Sequence, residues 1–207
     1  MEYGISKGFR HFLGEAEYLL REHINYSINH YERGIPLDKE KMVFTHDGPY
    51  PPIEVRCQNS LYAREMLDNL GGSNSEMSAV CLYFYNNLIT DPEFQDISYI
   101  FHRISIVEMH HMEIFGRLAR CLGEDPRLWT WDRGCRRYWS PSYDNFLRDL
   151  CRLMHNALDG ELAAIEKYRC QAGCIEDACI AANLNRIIED EEVHVRIFRQ
   201  IIEEYHL

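Results

Sequence analysis

The chain has no run of eighteen apolar residues, so no membrane-spanning helix is expected. None of its eight cysteines forms a Cys-x-x-Cys pair, which excludes a rubredoxin-type or zinc-ribbon knuckle. Basic residues are scarce: 22 Lys and Arg against 33 Asp and Glu leave a net charge of -11. That sign opposes phosphate neutralisation, so no nucleic-acid partner is expected. No segment reads as a strand, and no tract is of low complexity. At the N-terminus Glu2, Arg10 and Glu15 interrupt what would have to be a secretory apolar core, so a cytoplasmic location is expected. The cysteines read as reduced thiols serving as small apolar residues, with Cys170 and Cys174 on one helical face and Cys179 a little beyond.

What is present is helical periodicity over most of the 207 residues. Residues 5–32 predict an amphipathic helix, with Ile5, Phe9, Phe12, Leu13, Ala16, Leu19, Leu20, Ile24 and Ile28 at 3–4 spacing, stopped by Gly34 and Pro36. Residues 35–56 lack periodicity and contain Asp47-Gly48-Pro49-Tyr50-Pro51-Pro52, a turn and a stiff extended piece, read as a connector. A short helix over 59–70 breaks at Gly71-Gly72. Four long helical patterns follow. The first, 74–89, opens at Ser73 with Glu76 as in a capping box; it is apolar nearly all round and predicts a buried core helix. The second starts at Asp91-Pro92 and runs to Leu122-Gly123. The third covers 143–173 and the fourth 175–205. The links at 90–92 and 173–176 are short enough to demand antiparallel neighbours, whereas 123–142 has the length of a crossover. The expectation is an all-α protein: a four-helix bundle over 57–207, two hairpins joined by a long crossover, with an extra N-terminal helix and connector over 1–56.

Chemistry-bearing residues recur on this frame. Glu108 and His111 stand three apart on the second helix, and Glu191 and His194 three apart on the fourth. Such pairs lie about 60° apart around a helix, so both side chains reach one ion. Glu76 and Glu161 hold matching places on the first and third helices, each with a tyrosine seven residues on, Tyr83 and Tyr168. Glu76 precedes Glu108 by 32 residues and Glu161 precedes Glu191 by 30, an approximate internal twofold. Taken singly, Glu76 could be only a capping partner, each Glu-x-x-His pair an accident, and each tyrosine an ordinary core residue. Taken together, four Glu and two His facing one another across a bundle offer two ions about three oxygens and one nitrogen apiece, a set that suits iron or manganese. Glu166, five residues after Glu161, points to another face, and His102, His155, His11, His23 and His30 read as ordinary histidines.

The order Glu, Glu-x-x-His, Glu, Glu-x-x-His resembles the ferritin-like dimetal-carboxylate superfamily. Within it, Gly71-Gly72-Ser73-Asn74-Ser75-Glu76-Met77 and Glu108-x-x-His111-x-Glu113 resemble manganese catalases and the short manganese-catalase-like proteins of bacterial spore coats. Asp190-Glu191-Glu192-x-His194 is equally similar to bacterioferritins and rubrerythrins. The resemblance implies that Glu108 bridges two metals, that Glu76 and His111 bind one ion, and that Glu161 and His194 bind the other. It leaves Glu191 as either a second bridge or an acid/base, with Glu113 a further acid/base candidate. Tyr83 and Tyr168 are implied to fix ligand carboxylates of the opposite hairpin. Gly160 stands where manganese catalases carry an arginine.

The same resemblance implies two Mn or two Fe ions per chain, hydrogen peroxide or dioxygen as substrate, and a homo-oligomer, spore-associated in one branch. Three activities are open: manganese-type peroxide disproportionation, a di-iron peroxidase or ferroxidase, and a structural or iron-storage subunit.

Overall fold

The computed structural model describes residues 42–132 and 134–207; the helix expected over 5–32 lies outside them. The described residues fall in one compact unit, so the segment 42–56, expected as a connector, belongs to the same unit as the bundle.

Helix α1 (Ser60–Gly71) is started by Asn59, whose side chain accepts from the Leu61 and Tyr62 N–H groups. Its end lies hard against the crossover: a Cβ on Gly71 would come within 2.9 Å of the Leu128 backbone. Helix α2 (Glu76–Thr90) is capped by Ser75, not Ser73, so Glu76 is the first helical residue rather than a capping partner. The expectation of a core helix is also corrected. Tyr83, Asn86 and Thr90 are buried while Phe84 and Leu88 are 61% and 55% exposed, because the inward face serves a polar site.

Asp91 closes α2, its N–H bonded to the Asn87 carbonyl, and Pro92 follows in a turn; α3 (Gln95–Cys121) starts three residues later than the Asp-Pro signal suggests. Helix α4 (Leu150–Cys174) is capped by Asp149, seven residues beyond the expected start at 143, where only a 3-10 turn, Pro141–Tyr143, is found. Helix α5 (Ala178–Glu204) is capped by Asp177.

The crossover contains the strands that sequence reading missed. Trp129–Asp132 (β1) pairs antiparallel with Cys135–Tyr138 (β2), Trp129 opposite Tyr138. The period-two aromatics Trp129 and Trp131 and the positive φ of Gly134 (81°) are its signals. Four residues per strand is too short for periodicity to announce. The hairpin is held to α1 by Thr130 Oγ1 donating to Asp68 Oδ1 (2.8 Å) and by the Arg64 guanidinium over Trp131.

Tyr83 on α2 meets Glu161 on α4, and Glu76 meets Tyr168. These registers run in opposite senses, so α2 and α4 are antiparallel; with α2 and α3 joined by a tight turn, α3 and α4 run parallel, as the long crossover predicts. Apolar layers bracket the centre. On one side Ile100, Phe101, Ile104, Met154, Phe198 and Ile201 are buried; on the other Leu67, Leu70, Ile114, Leu118, Ile180 and Leu184. All eight cysteines are free, and Cys57, Cys121, Cys135, Cys170 and Cys174 are exposed rather than packed as core residues.

Candidate dimetal centre

Between those layers six buried side chains converge: Glu76 from α2, Glu108 and His111 from α3, Glu161 from α4, Glu191 and His194 from α5. Their ligand atoms form two groups, Glu76–Glu108–His111–Glu191 and Glu108–Glu161–Glu191–His194, each with all atoms within 4.8 Å of one another. Glu108 and Glu191 belong to both. The helix periodicity explains the meeting: each Glu-x-x-His presents its pair on the inward stripe, one turn from the apolar residues above and below.

Both imidazoles turn Nδ1 into the cluster. His111 Nδ1 lies 3.1 Å from Glu108 Oε2 and 3.2 Å from Glu191 Oε1. His194 Nδ1 lies 2.9 Å from Glu191 Oε2 and 3.0 Å from Glu108 Oε1. Two carboxylates are oriented from the opposite hairpin: the Tyr83 hydroxyl donates to Glu161 Oε1 and the Tyr168 hydroxyl to Glu76 Oε1, each at 2.5 Å.

Burial and facing carboxylates dominate the charge balance of the cluster. Burial first, then Glu191 and Glu108, push the Glu76 carboxyl well above the ordinary range. Burial and Glu191 push Glu161 up to about 7. On Glu108, burial and Glu161 push upward, but His194 and His111 prevail and hold it below its ordinary value. Burial opposes charge on His111 and His194, yet the surrounding carboxylates raise both well above a free imidazole. Burial, with neighbouring carboxylates, likewise raises both tyrosines. Without a cation, the charge of four buried carboxylates is relieved only by protons bound to them or to the imidazoles. Four converging buried carboxylates, two inward Nδ1 atoms and a mixed oxygen–nitrogen donor set fit a pair of divalent ions.

The outward Nε2 atoms are also committed. His111 Nε2 lies 3.1 Å from Asp190 Oδ2, and His194 Nε2 lies 3.0 Å from the Phe44 carbonyl. Asp190 is held by Tyr50 O–H (2.5 Å), the His46 N–H (2.7 Å) and an ion pair with Arg186 (2.6 Å). Burial opposes its charge, but the contacts from His111, Arg186 and Tyr50 hold the Asp190 carboxyl far below the usual range. Burial and Asp190 push the Tyr50 hydroxyl up to about 12. Phe44, Tyr50, Arg186 and Asp190 went unassigned in the sequence; the signals were the acid directly before Glu191 and Arg186 four residues earlier on the same helix.

A cavity of about 280 Å³ reaches the cluster from the α2–α4 side, lined by Glu76, Glu108, Glu161 and Glu191 with the end of the crossover, including Asp144. Asp144 Oδ2 is buried without a hydrogen-bond partner, and burial pushes its carboxyl up to about 6. Gly160 also lines the cavity, and a Cβ there would meet nothing within 4 Å. Glu113 is corrected: it lies outside the cluster, exposed and paired with Arg117 on the helix exterior. Two residues beyond His111, it is rotated by about 200° to the other face.

No family model matches the sequence, and no curated protein matches it. Solved structures do match the fold. Two crystal structures of KatB, a manganese catalase from Anabaena, superpose with a TM-score of 0.68. They are 21% and 22% identical, over 78% of this chain and 80% of that chain. At that identity the likeness speaks for the fold: this chain has the ferritin-like four-helix bundle, with a buried carboxylate–histidine cluster of dimetal type at its centre.

Proposed function

We propose that the protein is a dinuclear-metal redox enzyme acting on hydrogen peroxide, by disproportionation as in manganese catalase. The observation that carries it is the pair of ligand groups sharing Glu108 and Glu191, open to a cavity of small-molecule size. Glu76, Glu108, His111 and Glu191 would hold one ion and Glu108, Glu161, Glu191 and His194 the other. Two such ions, when bound, would supply reversible two-electron chemistry for peroxide. One peroxide is oxidised to dioxygen, releasing two protons and two electrons; a second takes up the same number and becomes two waters.

The chain's own residues orient and move protons. Tyr83 and Tyr168 fix the Glu161 and Glu76 rotamers through their hydroxyls. Glu191 sits in both ligand groups, which favours a bridging role over the acid/base one. Asp144, lining the cavity, is a carboxyl outside the six-residue cluster able to hold or release a proton near pH 6. The shared Glu191 also favours a second reading, a di-iron peroxidase or ferroxidase, since a second bridge is what the resemblance to bacterioferritins implies. Homo-oligomer formation is supported by the exposed Phe84 and Leu88 on α2.

Metal analysis of protein purified without added metal, followed by oxygen release on adding peroxide, tests the reading. About two manganese per chain with rapid oxygen evolution supports it. About two iron with peroxide consumed and no oxygen released favours the second reading. No metal in any preparation refutes both.

A further inference from the structure

The internal repeat puts Glu108 and His111 in the same relation as Glu191 and His194, but it breaks one residue earlier: Asp190 precedes Glu191, and Val107 precedes Glu108. The consequence is chemical. His111 reaches the Asp190 carboxylate across the bundle, whereas His194, which has no matching acid at 107, reaches the main-chain carbonyl of Phe44. Residues 42–52 are what make both arrangements. Phe44 is buried, packed edge-on against Tyr99, with its carbonyl on His194. The His46 N–H and the Tyr50 hydroxyl both donate to Asp190. Arg186 ties the segment to α5 by donating to the carbonyls of Gly48 (2.9 Å) and His46 (2.8 Å), with its guanidinium 4.1 Å over the Tyr50 ring. Asn183 Nδ2 donates to the Pro52 carbonyl. The segment therefore straps the α3–α5 side of the cluster, opposite the cavity.

We propose that this strap makes the two metal positions unequal: Asp190 and Tyr50 are positioning residues for the ion on His111, while the Phe44 carbonyl positions the imidazole for the ion on His194. An acceptor on Nε2 fixes the tautomer that leaves Nδ1 free for metal, and an anionic acceptor also makes Nδ1 a stronger donor than a neutral carbonyl does. Asp190 faces the Arg186 guanidinium at 2.6 Å and accepts from the His46 N–H and the Tyr50 hydroxyl, whereas His194 meets only a main-chain carbonyl, so the His111 position binds the tighter ion. The inference rests on the dimetal reading proposed above.

Stepwise Mn(II) titration of the full-length, metal-stripped chain tests it, followed by calorimetry and by the spin-resonance signal of free and bound Mn(II). Wild type is expected to take up two ions in separate steps. Asp190→Asn, which keeps shape and removes charge, is expected to weaken the tighter step about 10–100-fold and leave the weaker one within about threefold. Tyr50→Phe, which keeps the ring under Arg186, is expected to act on the same step by a smaller factor. Two equal steps in wild type, or both steps weakened alike in Asp190→Asn, overturn the inference while leaving the dimetal reading standing. No Mn(II) bound by wild type overturns both.

Discussion

The bundle's central layer and the apolar layer beside it are built from the same helices and obey opposite rules. Around Leu67, Leu70, Ile114, Leu118, Ile180 and Leu184 the chain buries hydrocarbon, which is stable with nothing added. One turn along α3 and two along α5 the same inward stripe carries Glu108, His111, Glu191 and His194, and the opposite hairpin helices add Glu76 and Glu161. Here the protein excludes water from charges that only cations, or bound protons, neutralise. The lesson is that one amphipathic stripe can serve stability and chemistry, provided the second is bracketed by the first.

Four measurements sharpen or break that contrast. The largest effect expected is from metal. At about a thousand times the dissociation constant the linkage is about 4 kcal/mol, or on the order of 10 °C in melting temperature for a unit of this size. Calorimetry of stripped and Mn(II)-loaded protein checks it, and equal melting temperatures would break the contrast. Next, Leu118→Ala in the apolar layer is expected to cost about 2–5 kcal/mol. The cost should be the same in stripped and loaded protein, since the layers are separate; denaturant unfolding of both forms reads this.

Asp144 gives a smaller, pH-dependent effect. Its carboxyl is raised from 3.8 to about 6 in the folded chain, so ionisation is disfavoured by folding. The penalty is absent below the unfolded value, grows between them, and is complete above about pH 6. Asp144→Asn should therefore melt progressively higher than wild type as pH rises from 4 to 7 (roughly the span between the two values), with no further gain beyond. A difference independent of pH would contradict the burial of that carboxyl. The smallest effect is at Gly160, mid-helix with open space around its Cβ position. Gly160→Ala should stabilise by about 0.5–1 kcal/mol through backbone entropy alone, measurable by denaturant midpoint, and a loss of stability would show that the cavity wall is tighter than it looks.

The six-residue cluster was legible because its parts are local. Glu-x-x-His is a pair within one helical turn, and Glu-x6-Tyr is one face over two turns, so periodicity alone places them. The short links and the long crossover then bring the units together. The hairpin Trp129–Tyr138 escaped because its strands are too short to show a period, and the polar inner face of α2 escaped because Phe84 and Leu88 look like core when burial is read from residue type.

By itself the sequence determined the order of the long helices among the described residues and the six residues that meet, since each follows from spacing along one chain segment. Only the tertiary structure decided what touches them from far away: the Phe44 carbonyl on His194, Tyr50 on Asp190 140 residues apart, Asp144 in the cavity lining, and the removal of Glu113 to the exterior. The reason is physical. A main-chain carbonyl has no residue-type signature, and a hydrogen bond across the fold depends on where a loop comes to rest, which periodicity does not encode.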